Sequence, residues 1–493
     1  MAFRNRKAPT TDEFVVVSQG EKGGKYDPSI PAEAYATGFM EFTDTAPTIY
    51  HANHYLSKAL EEHGFEYLDE REDWTDRLTK GNKFYTTRGT TTVLAFTKGK
   101  HWQPSHGAGI VGTHIDSLTC VVKPISIKEP IDDFELIGVA PYAGALSDLW
   151  WDRDLGIGGR MIVREGRGIT EKLVRIPHPI ARIASLAPHF GKFAQGPFNP
   201  ETQKVPFIGL AKDGKLPEPT EDEKKSPVVG QHSLRLLRAL SRESGVPVRD
   251  ILSVELHLFD TQPAALGGID KDFIFAPRVD NKACTYSGVY GFIEAADTVV
   301  ESDSLSVVVA YDNEEIGSRS RTGAQGNILE AAVDRIFAAE DCCPDDAKKA
   351  VFWANSFFLS ADVTHATNPN FSDVYMTNHK PKLNKGITVT FAPGGNMITN
   401  ANTSAFVQEI ARRTDNTIQY FQVRNDSPTG GTIGPYLASK TGIRGVDLGI
   451  AQLSMHSIRA TIGSEDIWLG VKFFKSFFNT WREVDLEFQL GSL

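Results

Sequence analysis

The sequence predicts an α/β protein built on a mostly parallel sheet and interrupted by an inserted β-rich segment. Three observations support this prediction. Strand-like and helix-like apolar segments alternate after Val254, as is typical of a parallel sheet with crossover helices. Residues 117–252 instead contain short alternating runs broken by Gly and Pro. The chain of 493 residues is also longer than one compact core normally is.

The first part of the predicted α/β domain spans residues 1–116. Its N-terminus is polar, is punctuated by Gly and Pro, and lacks the apolar core of a secretory signal, so we expect a loose arm or a strand added to a neighbour. The segment "TAPTIYHANHYLSKALEEHGF" predicts a capped helix that ends at Gly64. Two apolar strands, "TTTVLAFTKG" and "GAGIVGTHID", follow it.

The inserted segment, residues 117–252, is predicted to be rich in β-strands. Runs such as "GGRMIVREGRGITEKLVRIPHPIARI" alternate between apolar and polar residues and are interrupted by Gly and Pro. The stretch "KDGKLPEPTEDEKKSPVV" is charged and Pro-rich, which predicts an exposed loop. One helix, "HSLRLLRALSRESG", closes the segment.

The second part of the α/β domain, residues 253–493, alternates predicted strands and helices. The predicted strands are "VELHLFD", "SLSVVVAY", "SFFLSAD", "GITVTF", "IQYFQV" and "GVDLGI". The predicted helices are "NKACTYSGVYGFIEAAD", "GNILEAAVDRIFAAE", "TSAFVQEIARRT" and "SEDIWLGVKFFKSFFNTW". In such domains the functional groups lie at the carboxyl ends of the strands.

The composition limits the classes of partner. A net charge of −10 and a pI near 5.8 argue against nucleic acid or an anionic membrane as the main partner. No apolar run reaches the roughly 18 residues that indicate a membrane span. The 4 cysteines include the vicinal pair Cys342 and Cys343 and do not form a disulfide framework, which favours a reducing compartment.

Carboxylates and imidazoles follow the apolar strands at five places in the chain. These residues are His114 and Asp116, Asp280, Glu314 and Glu315, Asp362 and His365, and His456. If the strands are parallel, their carboxyl ends meet at one edge of the sheet. Taken alone, a histidine at a strand end is more often a core or capped residue than a ligand, and a lone aspartate is more often part of a turn or a helix cap. Together they predict a shared site.

Two histidines combined with Asp and Glu oxygens form a good ligand set for zinc. A carboxylate shared between two ions would allow a two-metal site. The adjacent Glu314 and Glu315 point in different directions at a strand end, so one can hold a cation while the other acts as a base. The sequence contains no HExxH, GxSxG or GxxxxGK[ST] motif, which argues against other common enzyme classes.

From about residue 35 to residue 480 the chain resembles the M18 metallopeptidase family. The motifs that carry the resemblance are "GTHIDSLTCVVKP", "LWWDRDLGIGGR", "LFDTQPAALGG", "FIFAPRVDN", "DNEEIGSRSRTGAQGNIL", "SADVTHATNPN", "HKPKLNKG", "GGTIGPYLASKTGIRGVDLGI" and "QLSMHSIR". The resemblance implies a zinc-exopeptidase fold and an aminopeptidase that cleaves N-terminal residues from peptides.

The resemblance also implies a role for each site residue. His114 and Asp362 would bind one zinc ion, Glu315 and His456 would bind a second, and Asp280 would bridge the two. Asp116 would orient His114, and Glu314 would be the general base of the reaction. The inserted segment would make dimers, and the dimers would assemble into a tetrahedral dodecamer. His178 in "RIPHPIARI" would reach into a neighbouring subunit's active site, although an ordinary loop histidine beside two prolines fits the sequence as well.

Substrate preference is expected to depend on His178, His365 and Thr390. Family members specific for acidic residues carry a lysine where Thr390 stands, and tend to carry a second histidine where Asn368 stands. Both departures favour neutral or apolar N-terminal residues, as in the fungal vacuolar members. The alternatives are an aspartyl aminopeptidase, another zinc amidohydrolase such as a deacylase or carboxypeptidase, and a catalytically inactive self-assembling cargo or scaffold protein.

The compartment is predicted only in part. The resemblance implies synthesis in the cytosol and allows a final location in the vacuole. Residues 1–30 lack the 3.6-residue apolar stripe of an amphipathic helix, which vacuolar members carry as a propeptide.

Overall fold

The computed structural model describes residues 32–211, 215–340 and 345–488. The predicted N-terminal arm and the Cys342–Cys343 pair lie outside the described residues. The helices are α1 (Ala32–Thr45), α2 (Ile49–Glu62), α3 (Thr75–Leu78), α4 (Leu234–Ser244), α5 (Val279–Val300), α6 (Ile328–Ala339), α7 (Asp346–Ala354), α8 (Ala401–Arg413), α9 (Gly434–Thr441) and α10 (Asp466–Glu487).

The strands are β1 (Glu66–Tyr67), β2 (Lys83–Arg88), β3 (Thr92–Lys98), β4 (Gly109–His114), β5 (Thr119–Ile127), β6 (Phe134–Tyr142), β7 (Leu155–Glu165), β8 (Gly168–Arg175), β9 (Phe207–Leu210), β10 (Ile251–Asp260), β11 (Ala265–Gly267), β12 (Phe273–Ala276), β13 (Leu305–Tyr311), β14 (Phe357–Ala361), β15 (Thr364–His365), β16 (Ile387–Thr390), β17 (Ile418–Phe421), β18 (Arg444–Gly449), β19 (Ala451–Gln452) and β20 (Ala460–Gly463).

Nine strands form the central sheet in the order β1-β2-β3-β13-β4-β14-β18-β16-β17. The pairs β1–β2, β4–β13, β4–β14, β14–β18 and β16–β17 are parallel. The pairs β2–β3, β3–β13 and β16–β18 are antiparallel. The sheet is therefore mixed with a parallel centre, which agrees with the predicted α/β class.

Helices cover both faces of the central sheet, and this explains why its middle strands are continuously apolar. All seven residues of β13 are buried. Its alternating side chains serve two cores: Val308 and Ala310 join the core that contains residues of α1, α2, α5, α8 and α10. Val307 and Val309 join the core on the opposite face, which contains residues of α6, α7 and α9.

Helices α5 and α10, each 22 residues long, pack against each other beneath the sheet. The rings of Phe292 and Phe478 meet edge to face, with centroids 5.4 Å apart. At Gly291 the backbones approach so closely that a Cβ atom would lie 2.8 Å from the Cβ atom of Phe474. This contact anchors α5, whose first turn supplies a residue of the site described below.

A second sheet, with strand order β8-β7-β10-β5-β6-β9, is formed by the β-rich part of the chain. Its neighbouring strands are antiparallel. Leu236, Leu237 and Leu240 of helix α4 lie in the core beneath it. Strand β10, which the sequence pattern grouped with the later strands, pairs with β5 and β7, because an alternating pattern does not reveal a strand's partners.

Asp466 at the start of α10 is a buried carboxylate outside the predicted site. It accepts hydrogen bonds from the backbone N–H groups of Asn384 and Gly463, each at 2.8 Å. Burial nevertheless raises the pKa of Asp466 to about 7.

Within the described residues, no helix combines the length and apolar character that crossing a membrane requires.

The raised pKa of Asp466 predicts a pH-dependent stability. Because the folded-state pKa lies above the unfolded value, the contribution of this group is complete below about pH 4 and is lost as the pH rises through about 7. The asparagine side chain of the Asp466→Asn variant cannot ionise. The free energy of unfolding of this variant, relative to that of the wild type, should therefore rise by roughly 2–3 kcal/mol between pH 5 and pH 8. Urea unfolding of both proteins at the two pH values checks this. A difference that does not change with pH contradicts it.

Candidate active site

Three neighbouring strands of the central sheet bring four of the predicted residues to one edge. His114 is the last residue of β4 and lies opposite Tyr311 of β13. Glu314 and Glu315 follow β13 in a single 3-10 turn, and Asp362 directly follows β14. Strands β13, β4 and β14 are parallel neighbours, so their carboxyl ends lie side by side. The predicted common edge is present for these residues.

Asp280 and His456 reach the same place from outside the central sheet, which corrects the prediction that all five segments end at one parallel edge. Asp280 lies in the first turn of α5, after strand β12. His456 lies in the loop between β19 and β20, and β12 pairs with β20 in a separate antiparallel sheet. His456 adopts a left-handed backbone with φ of 60°, which is uncommon outside glycine and typical of functional turns.

The side chains form two groups that share Asp280. His114, Asp280 and Asp362 form one group, and Asp280, Glu315 and His456 form the other; within each group the donor atoms lie within 4.8 Å of one another. His114 Nε2 lies 3.4 Å from both Asp280 Oδ1 and Asp362 Oδ1. His456 Nε2 lies 3.6 Å from Asp280 Oδ2 and 3.9 Å from Glu315 Oε2.

These spacings and donor types fit zinc. Two donors that are each about 2.1 Å from one tetrahedral zinc ion lie about 3.4 Å apart, because the angle between them is tetrahedral. Imidazole nitrogens and carboxylate oxygens are ordinary zinc ligands. Glu315 Oε1 is buried and has no hydrogen-bond partner among the described residues, so it retains a free acceptor. A cation would satisfy that acceptor.

The electrostatics of the cluster also favour a cation. Burial raises the pKa of Glu314 to about 8 and that of Glu315 to about 10, and nearby carboxylates contribute to both shifts. Burial raises the pKa of Asp362 as well. Burial opposes a charge on His114, but Asp362 and Glu314 raise its pKa well above the ordinary value. Carboxylates held this close repel one another when they are ionised, and a cation bound among them would offset that repulsion.

Asp116 links the imidazole to the paired glutamates. Its Oδ1 atom lies 3.2 Å from His114 Nδ1, so that Nε2 faces Asp280 and Asp362. The Asp116 carboxylate also accepts the backbone N–H groups of Glu314 and Glu315, each at 3.2 Å. One buried carboxylate thus fixes both the ring orientation and the turn that carries the glutamates.

The two glutamates face different partners. Glu315 belongs to the donor group that contains His456. Glu314 belongs to neither group, and its Oε2 atom lies 3.8 Å from His114 Nε2. Its carboxylate is therefore beside the donor groups without being part of them, which is the placement that a base requires.

A cavity of about 140 Å³ borders the cluster. Its lining includes Asp116, Asp280 and His456 of the cluster, together with residues of the six-stranded sheet, among them Val121 and Tyr142. Tyr142 was not predicted from the sequence. Its hydroxyl donates to Asp116 Oδ2 at 2.8 Å, and the sequence carried no signal for it because a tyrosine in an alternating strand is ordinary.

His365 ends strand β15, and Thr390 ends strand β16. The ring of His365 stands 5.5 Å from that of Phe421, and burial together with His456 lowers the pKa of His365. The hydroxyl of Thr390 donates to Thr364 Oγ1 at 3.4 Å, so this buried side chain is engaged with the residue that precedes His365.

The other two predicted positions lie elsewhere. His178 is exposed and lines a separate cavity of about 580 Å³ with Asp154 and Arg182, and that cavity includes no residue of the two donor groups. Asn368 caps a 3-10 helix by accepting the backbone N–H of Asn370 at 3.0 Å. The structure therefore brings His178 into no contact with the cluster.

Comparisons with known proteins agree with this geometry. The sequence profile of the family described as "Aminopeptidase I zinc metalloprotease (M18)" matches residues 42–478. The chain is 48% identical to vacuolar aminopeptidase 1 of Saccharomyces cerevisiae, over 92% of this chain and 90% of that protein. It is 36% identical to aspartyl aminopeptidase of Aspergillus oryzae, over 90% of this chain and 95% of that protein.

A solved structure of a relative is similar to this chain over most of its length. The structure of the mApe1 dodecamer of Saccharomyces cerevisiae matches with a TM-score of 0.84 and 43% identity, and the match covers 93% of this chain and 99% of that one. The profile match and the identities extend over most of the chain, and residues 42–478 contain all the predicted site positions. This chain therefore belongs to the M18 family of zinc aminopeptidases.

Proposed function

We propose that this chain removes neutral or apolar N-terminal residues from peptides and holds two zinc ions in each subunit. His114 and Asp362 would hold one ion, Glu315 and His456 the other, and Asp280 would lie between them. The observation that carries this proposal is the presence of two donor groups that share one carboxylate. An aspartate with one oxygen toward each group is suited to bridge two ions.

Bound zinc supplies Lewis acidity, which polarises a carbonyl and makes water more acidic. The chain's own residues do the rest. Glu314 accepts a proton from the attacking water and delivers it to the leaving amine. Glu314 Oε2 lies 3.8 Å from His114 Nε2, beside both donor groups, so one carboxylate is placed for both proton transfers. Asp116 fixes the orientation of the His114 ring and of the glutamate turn during both proton transfers.

Thr390 supports the preference for neutral residues. Its side chain is uncharged, buried and bonded to Thr364, so it offers no cation to an acidic substrate side chain. The side chain of Asn368 accepts a hydrogen bond from the backbone N–H of Asn370 and so caps its own 3-10 helix. The greater identity to a vacuolar aminopeptidase than to an aspartyl aminopeptidase points in the same direction.

A comparison of substrates tests the preference. We expect kcat/KM for leucine p-nitroanilide to exceed that for the aspartate and glutamate p-nitroanilides by at least about tenfold, because an unpaired substrate carboxylate beside the uncharged Thr390 is costly. N-acetyl-leucine p-nitroanilide should not be cleaved, which separates an aminopeptidase from other zinc amidohydrolases. Faster release of aspartate would establish the alternative, an aspartyl aminopeptidase. A zinc-loaded chain that cleaves none of these compounds would favour the cargo or scaffold alternative.

We propose the domain division and the assembly from the similarity of this chain to the M18 family. Residues 1–116 and 253–493 would form the proteolytic domain, and residues 117–252 would form a dimerisation domain. The β-rich region exposes large apolar side chains suited to an interface, namely Ile125, Ile169, Phe190, Phe193 and Leu210. The dimers would build a tetrahedral dodecamer, in which His178 would reach a partner subunit's substrate. We further propose synthesis in the cytoplasm and a final location in the vacuole; the name of the yeast relative, vacuolar aminopeptidase 1, supports the second part of this proposal.

A further inference from the structure

Tyr142 is the last residue of strand β6 and belongs to the six-stranded sheet rather than to the sheet that carries the ligands. Its hydroxyl donates a hydrogen bond to Asp116 Oδ2 at 2.8 Å. The same hydroxyl accepts a hydrogen bond from Asn313 Nδ2 at 3.0 Å. Asn313 directly precedes the two glutamates, so Tyr142 contacts both the carboxylate and the turn that surround the ligands.

The Asp116 carboxylate receives four hydrogen bonds, two at each oxygen. Oδ1 faces His114 Nδ1 and the Glu314 N–H, each at 3.2 Å. Oδ2 accepts the Glu315 N–H at 3.2 Å and the Tyr142 hydroxyl at 2.8 Å. The bond from Tyr142 is the shortest of the four. Asp116 is only 3% exposed, so these four donors supply most of the stabilisation of its charge.

The chemistry of Tyr142 suits a permanent donor. Burial, and then the charges of Asp116 and Asp312, raise the pKa of Tyr142 far above its ordinary value. The phenol is therefore neutral and keeps its proton. Asn313 is itself held by Ser320 and Thr322, whose hydroxyls donate to Asn313 Oδ1 at 2.7 Å and 3.0 Å. Its amide is thereby oriented with the NH₂ group toward Tyr142.

We propose that Tyr142 is a positioning residue, through which the six-stranded sheet sets the orientation of the zinc-ligand His114 and of the Glu314–Glu315 turn. The proposal rests on the function proposed above. Tyr142 acts mainly through Asp116 and also through Asn313, and it has no hydrogen bond to a ligand donor. Outer hydrogen bonds of this kind fix ligand orientation and basicity, and their loss typically costs about 10–100-fold in metal affinity or activity.

Tyr142→Phe tests the proposal, since it removes the hydroxyl and keeps the ring that lines the cavity. In the full-length zinc-loaded protein we expect kcat to fall about tenfold or more, with KM changed less than about threefold. Zinc affinity, measured by competition with a fluorescent chelator, should weaken by about tenfold or more. The matched control is Tyr85→Phe, a buried tyrosine whose hydroxyl donates to Glu61 at 2.5 Å and contacts none of the site residues above. It should leave both quantities unchanged.

A second comparison separates positioning from a general loss of structure. In an Asp116→Asn background, Tyr142→Phe should cause a much smaller loss of zinc affinity than in the wild type, because most of its effect passes through Asp116. Additive losses would overturn the proposal, as would zinc affinity and kcat both within twofold of the wild type. If the wild type binds zinc but cleaves no substrate, the proposed function fails, whereas the chelator competition still decides the role of Tyr142.

Discussion

Replacing Glu314 by Gln is expected to lower kcat by about 10²–10⁴-fold while both zinc ions stay bound. Glu314 belongs to neither donor group, so its substitution removes no ligand. Gln keeps the size of the side chain but cannot accept the proton of the attacking water. The test measures kcat on leucine p-nitroanilide together with zinc content by inductively coupled plasma mass spectrometry.

Glu315→Gln is the matched comparison for this prediction, because it makes the same chemical change one residue away. Glu315 belongs to the donor group with His456, so this variant should lose zinc together with activity. The two variants thus separate the roles of the adjacent glutamates. A Glu314→Gln protein that keeps more than a tenth of the wild-type kcat, or that loses zinc as Glu315→Gln does, would rule out the assignment.

Replacing Asp280 by Ala is expected to abolish activity and to reduce the zinc content to one ion per subunit or fewer. Asp280 is the one residue common to both donor groups, so its loss removes a ligand from each and leaves the remaining like charges uncompensated. Zinc content and kcat are measured as for Glu314→Gln. The control is Asp270→Ala, in the exposed turn between β11 and β12, which should retain full zinc content and activity. Two tightly bound ions in Asp280→Ala would contradict the sharing of this carboxylate.

The central part of the fold follows from local patterns. Strands such as β4, β13 and β14 are buried on both faces, and their short apolar runs are therefore visible in the sequence. The capped helix was also predicted: α2 begins after Thr48, whose hydroxyl accepts the N–H of His51. These elements carry His114, the glutamate pair and Asp362, which is why much of the site was predicted with them.

Helix α1 was not predicted, because its stability comes from tertiary contacts. The segment mixes Gly38 and several threonines with its aromatic residues, which weakens the helical signal. Phe39 and Phe42 are fully buried, and both rings pack on Tyr286 of α5. Packing against a residue more than two hundred positions later outweighs local propensity, and a local pattern does not contain that information.

The same limit applies to the site. Asp280 follows strand β12 and His456 precedes strand β20, and the short sequences of these two strands do not reveal that they pair with each other. The hydrogen bond from Tyr142 to Asp116 joins two different sheets and depends on how the sheets are placed. The sequence thus indicated which residue types meet, while the means by which they are held required the structure.

The most direct test of the two-zinc account is an anomalous difference map at the zinc absorption edge from crystals of the zinc-loaded chain. The account predicts two peaks per subunit, one in contact with His114 and Asp362 and the other with Glu315 and His456, with Asp280 contacting both. A single peak, or a pair of peaks that does not include Asp280 between them, would contradict it.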